Sequence, residues 1–232
     1  MRPPRQAGKD SRNPFAARID LPPPSRSSLI RLHQDIACCT ACATLKPWRQ
    51  FQPTVYGTSA TRYLMVGEAP GYRSWSNGQR FTGPAGMLIR RALRAVGYPR
   101  YADLEDLFYI TDVVKCHPGP SRNDASNRSP RRSEIDTCLH HLVRELEVLR
   151  PDVIVTFGKV AAEAIRHALE LAPKGGVRVV PPEPEIIAFP HPSPRNQVTI
   201  RKHYASMEAF AQAMTDTFRA LIGRLGGGSS HA

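Results

Sequence analysis

The 232-residue sequence has no stretch that approaches the roughly 18 to 20 consecutive apolar residues of a membrane-spanning helix. Its first residues, MRPPRQAGKDSRNPF, are basic and proline-rich and lack the apolar segment of a secretion signal. Phosphate-binding signatures of the GxGxxG and GxxxxGK types are also missing, which disfavours the common nucleotide-binding α/β families. We therefore expect a soluble, cytoplasmic protein without a membrane partner.

Cysteine is scarce, and its number is odd. An odd count in an intracellular chain argues against a framework of disulfides. Three of the cysteines lie close together in the sequence and two are distant, which suits metal ligation better. The five are Cys38, Cys39, Cys42, Cys116 and Cys138.

Acidic residues are too few to balance the basic ones. The 20 Asp and Glu residues stand against 32 Lys and Arg, which gives a net charge of +12 and a pI of about 10.0. Such a surplus is typical of a protein with a polyanionic partner, most simply nucleic acid. A basic, solvated surface without a specific partner is the alternative.

Composition divides the chain into three parts. Residues 1–28 are rich in Pro, Arg and Ser and show no periodicity, so we expect a disordered basic arm. Residues 29–224 have enough apolar residues for one sizeable domain. Residues 225–232 are mostly glycine and serine, and they are expected to form a flexible tail.

Four short apolar segments alternate with amphipathic segments through the central part. The apolar segments cover residues 62–68, 107–114, 152–158 and 185–190, and the helical patterns cover residues 84–97, 133–149, 159–171 and 203–224. Continuous apolar strands separated by helices predict a three-layer α/β/α fold around a central, mainly parallel, four-stranded sheet. Ligands of such sheets bind beyond the carboxyl ends of the strands.

Four motifs fall at those strand ends. They are GEAPG (67–71), FTGPAG (81–86), YITDVVKC (109–116) and HPSPRN (191–196). In this order they resemble the uracil-DNA glycosylase superfamily, and the likeness is strongest to its iron–sulfur type, family 4. The resemblance implies the uracil-DNA glycosylase-like α/β/α fold for the domain.

The same resemblance implies a metal centre. Cys39 and Cys42 of CTAC match the CxxC pair of family 4, and Cys116 and Cys138 match its other two ligands. Four thiolates are the usual ligand set of a 4Fe–4S cluster. Zinc also accepts four sulfurs and is the alternative metal. Cys38 is a spare thiol or an alternative ligand.

By this resemblance the chain is a monofunctional DNA glycosylase of base excision repair. It would bind DNA as a monomer, flip a pyrimidine nucleotide out of the duplex and hydrolyse its N-glycosidic bond, leaving an abasic site. The acidic pair that the family commonly has beyond GEAPG is replaced here by Ser74 and Trp75. A relative that binds DNA without catalysis is therefore an alternative.

The motifs supply candidates for each catalytic role. His191 would donate a hydrogen bond to the 2-oxo oxygen of the base, where negative charge develops. Glu68 is the acid left in the GEAPG loop and would orient the attacking water, unless it only accepts backbone N–H groups. Phe81 would stack on the flipped base, with Ala69 and Gly71 beside it.

Polar residues after two strands are candidates for contacts to the DNA backbone. In HPSPRN, Ser193, Arg195 and Asn196 would contact the DNA backbone and fill the space left by the flipped base. Lys115 would contact a phosphate. The basic segment 118–132 either lies along DNA or is a solvated loop.

Asp112 occupies a position where the family usually has asparagine. An ionised aspartate can only accept hydrogen bonds, so it would oppose the 4-oxo oxygen of uracil at a cost of about 1–3 kcal/mol. The amino group of cytosine suits a carboxylate, and Gly71 leaves room for a 5-substituent where the strictest uracil enzymes have tyrosine. These features predict activity on a 5-modified cytosine such as hydroxymethylcytosine of phage DNA, and hence an antiviral role.

Two alternatives remain for Asp112. Protonated in an apolar pocket, it would read uracil much as asparagine does, and the chain would be a uracil-DNA glycosylase. It could also turn aside and pair with Lys115.

Overall fold

A parallel sheet of four strands lies at the centre of the computed structural model, which describes residues 26–42, 45, 51–119, 127–171 and 183–226. The strands are β1 (Tyr63–Gly67), β2 (Tyr109–Asp112), β3 (Val153–Phe157) and β4 (Glu185–Phe189). Their order is β2-β1-β3-β4, and every pairing is parallel. The predicted three-layer α/β/α fold is confirmed.

Helices connect and cover the strands. They are α1 (Arg26–Ala37), α2 (Tyr72–Asn77), α3 (Pro84–Arg94), α4 (Leu104–Leu107), α5 (Arg132–Leu149), α6 (Lys159–Leu171), α7 (Gln197–Tyr204) and α8 (Met207–Gly226). Short 3-10 turns span Pro99–Tyr101 and Pro194–Asn196. Of the helices in the described ranges, none is both long enough and apolar enough to cross a bilayer.

Several boundaries differ from the sequence prediction. Helix α1 begins at Arg26, inside the arm predicted for residues 1–28, and the first 25 residues of that arm lie outside the described ranges. The segment predicted as one helix over 203–224 covers the end of α7 and most of α8, because Ala205 has a φ of 61° and ends α7. Helix α8 continues to Gly226, two residues into the predicted tail, and the rest of that tail lies outside the described ranges.

The core lies in two layers, one on each face of the sheet. Because successive side chains of a strand point to opposite faces, Met65 of β1 packs on the α3 and α8 side, and Leu64 packs on the α5 and α6 side. All five residues of β1 are buried, as expected for a strand covered on both faces. Strand β1 is therefore packed on both faces behind the edge where the strands end.

Lys115, just beyond β2, is inside the protein and not on its surface. Its ammonium group donates to Thr111 Oγ1 at 2.7 Å and to the carbonyl of Asp112 at 2.6 Å, and it forms an ion pair with Glu145 of α5. The two side chains of this pair are 3% and 0% exposed. The prediction that Lys115 contacts a DNA phosphate is therefore wrong, because its charge is used to tie the loop after β2 to α5.

This buried ion pair gives a prediction for stability. Lys115→Met leaves the Glu145 carboxylate buried without a partner, so we expect it to lower the free energy of unfolding by about 3–5 kcal/mol. The double variant Lys115→Met with Glu145→Leu should recover most of that loss, because it leaves no uncompensated charge. Urea denaturation followed by circular dichroism measures both.

Lys159→Met is the matched control. Lys159 pairs with Glu163 on the surface of α6, where the lysine side chain is 86% exposed, so its loss should cost less than about 1 kcal/mol. Equal losses for Lys115→Met and Lys159→Met would contradict the expected cost of leaving the Glu145 carboxylate buried without a partner.

Candidate active site at the carboxyl ends of the strands

Gly67, the last residue of β1, is where two predicted base-binding residues meet. It pairs in register with Asp112, the last residue of β2. A Cβ atom on Gly67 would lie 2.4 Å from Asp112 Oδ1 and 3.1 Å from Phe81 Cζ. The carboxyl group and the tip of the phenyl ring therefore converge on a space that only glycine leaves open.

Phe81 is held in an uncommon backbone conformation. Its φ of 56° lies in the left-handed region, which a bulky residue rarely adopts. Gly86 in the first turn of α3 lies directly against it, since a Cβ there would be 2.0 Å from the Phe81 carbonyl oxygen. The half-buried ring meets Phe157 edge-on, with 6.0 Å between centroids. Strain of this kind persists only where the surroundings hold it.

Arg90 of α3 provides much of that restraint. Its guanidinium donates to the Phe81 carbonyl at 3.2 Å and to the Arg80 carbonyl at 2.8 Å. It is itself held by Glu105, at 2.7 Å, and by Asp103. The backbone of Arg80 and Phe81 is thus fixed to α3 and to the N-terminal end of α4.

Asp112 is buried, with 4% of its surface exposed. Its Oδ2 accepts a hydrogen bond from Arg80 Nε at 3.1 Å. Burial raises the pKa of the carboxyl group, and the positive charges of Arg80 and Lys115 offset only part of that effect. Lys115 binds the backbone carbonyl of Asp112, so the alternative of a pair between its ammonium and the carboxylate is wrong.

Arg80 is a site residue that sequence reasoning missed. It is 2% exposed, and its guanidinium lies over the rings of Phe51, at 4.9 Å, and Tyr56, at 5.1 Å. The sequence feature that points to it is its position directly before Phe81, the residue predicted to stack on the base. Nothing in the sequence indicates that this arginine turns inward to Asp112.

His191 and Glu68 lie close to each other on the other side of β1. His191 follows β4, and its Cβ lies 3.3 Å from the position of a Cβ on Gly158, whose φ is 95°. Burial lowers the pKa of His191, and the negative charge of half-buried Glu68 opposes that effect without cancelling it. The imidazole is therefore neutral at pH 7, and each neutral imidazole carries one N–H donor.

The HPSPRN segment is ordered mainly by contacts within itself. Asn196 Nδ2 donates to the His191 carbonyl at 2.9 Å, and the Asn196 N–H donates to the Ser193 carbonyl at 2.9 Å. The Asn196 amide thus holds the loop that carries His191. Arg195 is exposed, and Ser193 is half-buried.

The space beside Gly71 is occupied. A Cβ on Gly71 would lie 3.1 Å from Asn127 Nδ2, and Asn127 Oδ1 accepts the N–H of Tyr72 at 2.7 Å. The expectation of free room for a 5-substituent is therefore wrong for this structure. Asn127 is distant from Gly71 along the chain, so this neighbour could not be inferred from local sequence. Residues 120–126 of the basic segment lie outside the described ranges.

Ala69, the other candidate in the GEAPG loop, is half-buried. It packs against the core layer on the α5 and α6 side.

The positions that replace the acidic pair carry no charge. Ser74 is buried and accepts the N–H of Thr82 at 3.4 Å, while Trp75 stacks on His117 with 5.3 Å between centroids. Glu68 remains the candidate for orienting water.

The four predicted metal ligands lie near one another. Burial, and next the neighbouring thiol of Cys138, raise the pKa of Cys116 to about 12, with further effects from Cys42 and Cys39. Burial also raises the pKa of Cys138 to about 11. The Lys115 N–H donates to Cys138 Sγ at 3.3 Å, a contact typical of cluster-binding sulfurs. Cys38 is exposed.

This arrangement fits a bound metal group. Burial raises the pKa of the Cys42, Cys116 and Cys138 thiols, so these become thiolates readily only when a metal centre stabilises them. A second donor set shares one of the four, because the ligand atoms of Cys39, His140 and His141 lie within 4.8 Å of one another. Four sulfurs suit a 4Fe–4S cluster, whereas a mixed set suits zinc.

Comparison with known proteins identifies the family of the chain. The family model "Uracil DNA glycosylase superfamily" matches residues 54–215. Among curated proteins, a type-4 uracil-DNA glycosylase of Archaeoglobus fulgidus is 37% identical over 144 residues, 62% of this chain and 66% of that protein. One of Thermotoga maritima is 40% identical over 123 residues, 53% of this chain and 58% of that protein.

A more distant relative is matched over a greater length. A type-5 uracil-DNA glycosylase of Pyrobaculum aerophilum is 31% identical over 187 residues, which is 68% of this chain and 76% of that protein. The chain spans only 58 to 66% of the length of the two type-4 proteins. The resemblance inferred from GEAPG, FTGPAG, YITDVVKC and HPSPRN is confirmed: the chain belongs to the uracil-DNA glycosylase superfamily and is similar to its type-4 members.

Proposed function

We propose that this protein is a monofunctional DNA glycosylase that excises uracil from DNA and leaves an abasic site. The observation that carries the proposal is the convergence of Asp112 Oδ1 and the Phe81 ring on Gly67, with His191 and Glu68 at the same edge of the sheet. The names of the type-4 and type-5 relatives favour uracil as the base.

DNA binding and base flipping come first. The net charge of +12 favours association with the phosphate backbone, and exposed Arg195 is the candidate contact next to the site. Extrusion of one nucleotide costs a few kcal/mol, which stacking on Phe81 and hydrogen bonds to the edge of the base would offset.

Hydrolysis then replaces the bond between the sugar and the base with a bond between the sugar and the oxygen of water. The C1′–N1 bond breaks with its electron pair going to the base, the oxygen of water bonds to C1′, and the proton released from water ends on the base. Neutral His191 donates its N–H to the 2-oxo oxygen, where the negative charge of the leaving base develops. Glu68 accepts a hydrogen bond from the water and orients it toward the sugar.

Asp112 reads the opposite edge of the base. A protonated carboxyl group donates to the 4-oxo oxygen of uracil, and burial favours this neutral form. An ionised Asp112 would instead accept from the amino group of a cytosine-type base. The ion pair with Arg80 is the specific observation that favours this second candidate substrate. A 5-substituent would fit only if the Asn127 amide beside Gly71 moves aside.

We further propose that Cys39, Cys42, Cys116 and Cys138 hold a 4Fe–4S cluster, with zinc as the alternative. Such a group supplies four bonds that cross-link the chain. Here it would join the segment after α1 to the loop after β2 and to α5. These cysteines contribute structure, and the reacting groups are the side chains at the strand ends.

A panel of bases tests the proposed activity. Oligonucleotides bearing uracil, cytosine, 5-hydroxymethylcytosine or glucosylated hydroxymethylcytosine are incubated with the protein, and abasic sites are scored by alkaline cleavage. We expect cleavage at uracil. His191→Ala should lower the single-turnover rate by about 100- to 1,000-fold, the usual cost of losing one donor to a developing oxyanion.

DNA affinity provides the control for that experiment. Because His191 acts on the leaving base, the variant should bind uracil-containing DNA about as well as the wild type. DNA binding without abasic product from any of the four substrates would instead identify a binding protein. Product from modified cytosine alone would select the second candidate substrate.

The pH dependence of uracil release tests the role of Asp112. The protonated carboxyl group donates to uracil, so the rate should fall as pH rises through the raised pKa of Asp112. Asp112→Asn should lose this decrease because an amide does not titrate. Single-turnover rates from about pH 5 to pH 9 measure both, and an unchanged profile in Asp112→Asn would show that another group is responsible.

Metal content tests the cluster. Purified protein should contain about four irons and four sulfides per chain and absorb broadly in the visible range. Cys116→Ala and Cys138→Ala should lose that iron, whereas the matched variant Cys38→Ala, at an exposed position, should retain it. Stoichiometric zinc without iron would contradict the iron–sulfur proposal.

A further inference from the structure

Arg80 is fixed more firmly than a surface arginine could be. Its guanidinium lies against the faces of Phe51 and Tyr56, and its carbonyl accepts from Arg90 at 2.8 Å. Its Nε lies 3.1 Å from Asp112 Oδ2, with both side chains almost entirely buried. The position of this donor is therefore set by the packing, independently of any substrate.

The contact makes the two oxygens of Asp112 unequal. Oδ2 is occupied by Arg80, and among the described residues Oδ1 has no hydrogen-bond partner. Oδ1 is also the oxygen that lies beside Gly67 and the tip of Phe81. If a base stacks on Phe81, Oδ1 is the atom of Asp112 that faces it.

We propose that Arg80 is a positioning residue that sets base specificity, because it holds one oxygen of residue 112 and presents the other to the base as an acceptor. This inference rests on the proposed function and adds a residue to it. Arg80 would make the site less favourable for the 4-oxo group of uracil and more favourable for an amino group.

The charges around Asp112 give the direction of the effect. Arg80 and Lys115 favour the carboxylate, whereas burial and the charge of Glu145 favour the neutral acid. Removing Arg80 deletes the positive group that donates to Oδ2, and a buried carboxyl group without such a partner neutralises by taking up a proton. A larger fraction of Asp112 is then protonated and can donate to uracil.

The effect reverses in the variant Asp112→Asn. With Arg80 present, its Nε donates to the amide oxygen, so the NH₂ group faces the base and donates to the 4-oxo oxygen of uracil. Without Arg80 the amide can rotate and present its oxygen instead. The same substitution at Arg80 therefore raises uracil release when residue 112 is aspartate and lowers it when residue 112 is asparagine.

Four proteins test this inference: the wild type, Arg80→Met, Asp112→Asn and the double variant. Single-turnover release of uracil is measured at mildly alkaline pH, where ionisation of Asp112 matters most. We expect Arg80→Met to raise the rate about tenfold in the wild-type background and to lower it about fivefold in the Asp112→Asn background, within the range for one mispaired hydrogen bond.

A purely structural role of Arg80 would predict a loss in both backgrounds. Changes of the same direction in the two backgrounds would therefore overturn the inference while leaving the glycosylase proposal intact. If none of the four proteins releases any base, the proposed function itself fails. Circular dichroism, iron content and DNA affinity are compared first to establish that each protein is folded.

Two further variants cover the case in which Arg80→Met does not fold. Arg80→Lys retains the charge that favours the carboxylate, so its uracil rate should stay near that of the wild type. Arg80→Gln has a shorter side chain that keeps an N–H donor but lacks the charge, so it should raise the rate of uracil release. The opposite order of the two rates would contradict the role assigned to Arg80.

Discussion

The candidate site depends on one close approach at the end of β1. Because Gly67 has no side chain, the Asp112 carboxyl group and the Phe81 ring can both lie against the same backbone atom. Parallel pairing puts Gly67 opposite Asp112, and the turn before α3 brings Phe81 back over the strand. Any side chain at this position would displace the acid, the ring or both.

Buried charges then hold these groups in place. Arg90 fixes the carbonyls on either side of the left-handed turn at Phe81, Arg80 binds Asp112, and Lys115 binds Glu145 beneath β2. The pairs Arg80–Asp112 and Lys115–Glu145 lie where water is largely excluded, so removal of one partner leaves a group that stays charged at a cost or takes up a proton. The arrangement gains geometric precision from interactions that add little net stability. Such precision suits the proposed distinction between a carbonyl oxygen and an amino group of the base.

The framework of this site could be predicted because its signals are local and periodic. Continuous apolar segments identified all four strands, and the rule that ligands bind beyond parallel strand ends brought Asp112, Phe81 and His191 to one edge. The rest depends on tertiary geometry. The sequence predicts a phosphate contact for Lys115, because nothing in VVKC shows that its side chain turns back toward Glu145. The same holds for the pairing of Arg80 with Asp112, which needs the left-handed turn at Phe81.

The segment from Asp112 to Cys116 connects the candidate active site to the cysteine site. Lys115 donates its side chain to Glu145 and its backbone N–H to Cys138, and both acceptors belong to α5. A group bound by the cysteines would therefore restrain α5 against the same segment that positions Asp112. Loss of that group would weaken the proposed catalysis through displacement of Asp112, even if the group takes no part in the chemistry. For this reason, reduced activity in a metal-free protein would be evidence of a structural connection and would not by itself demonstrate a redox role.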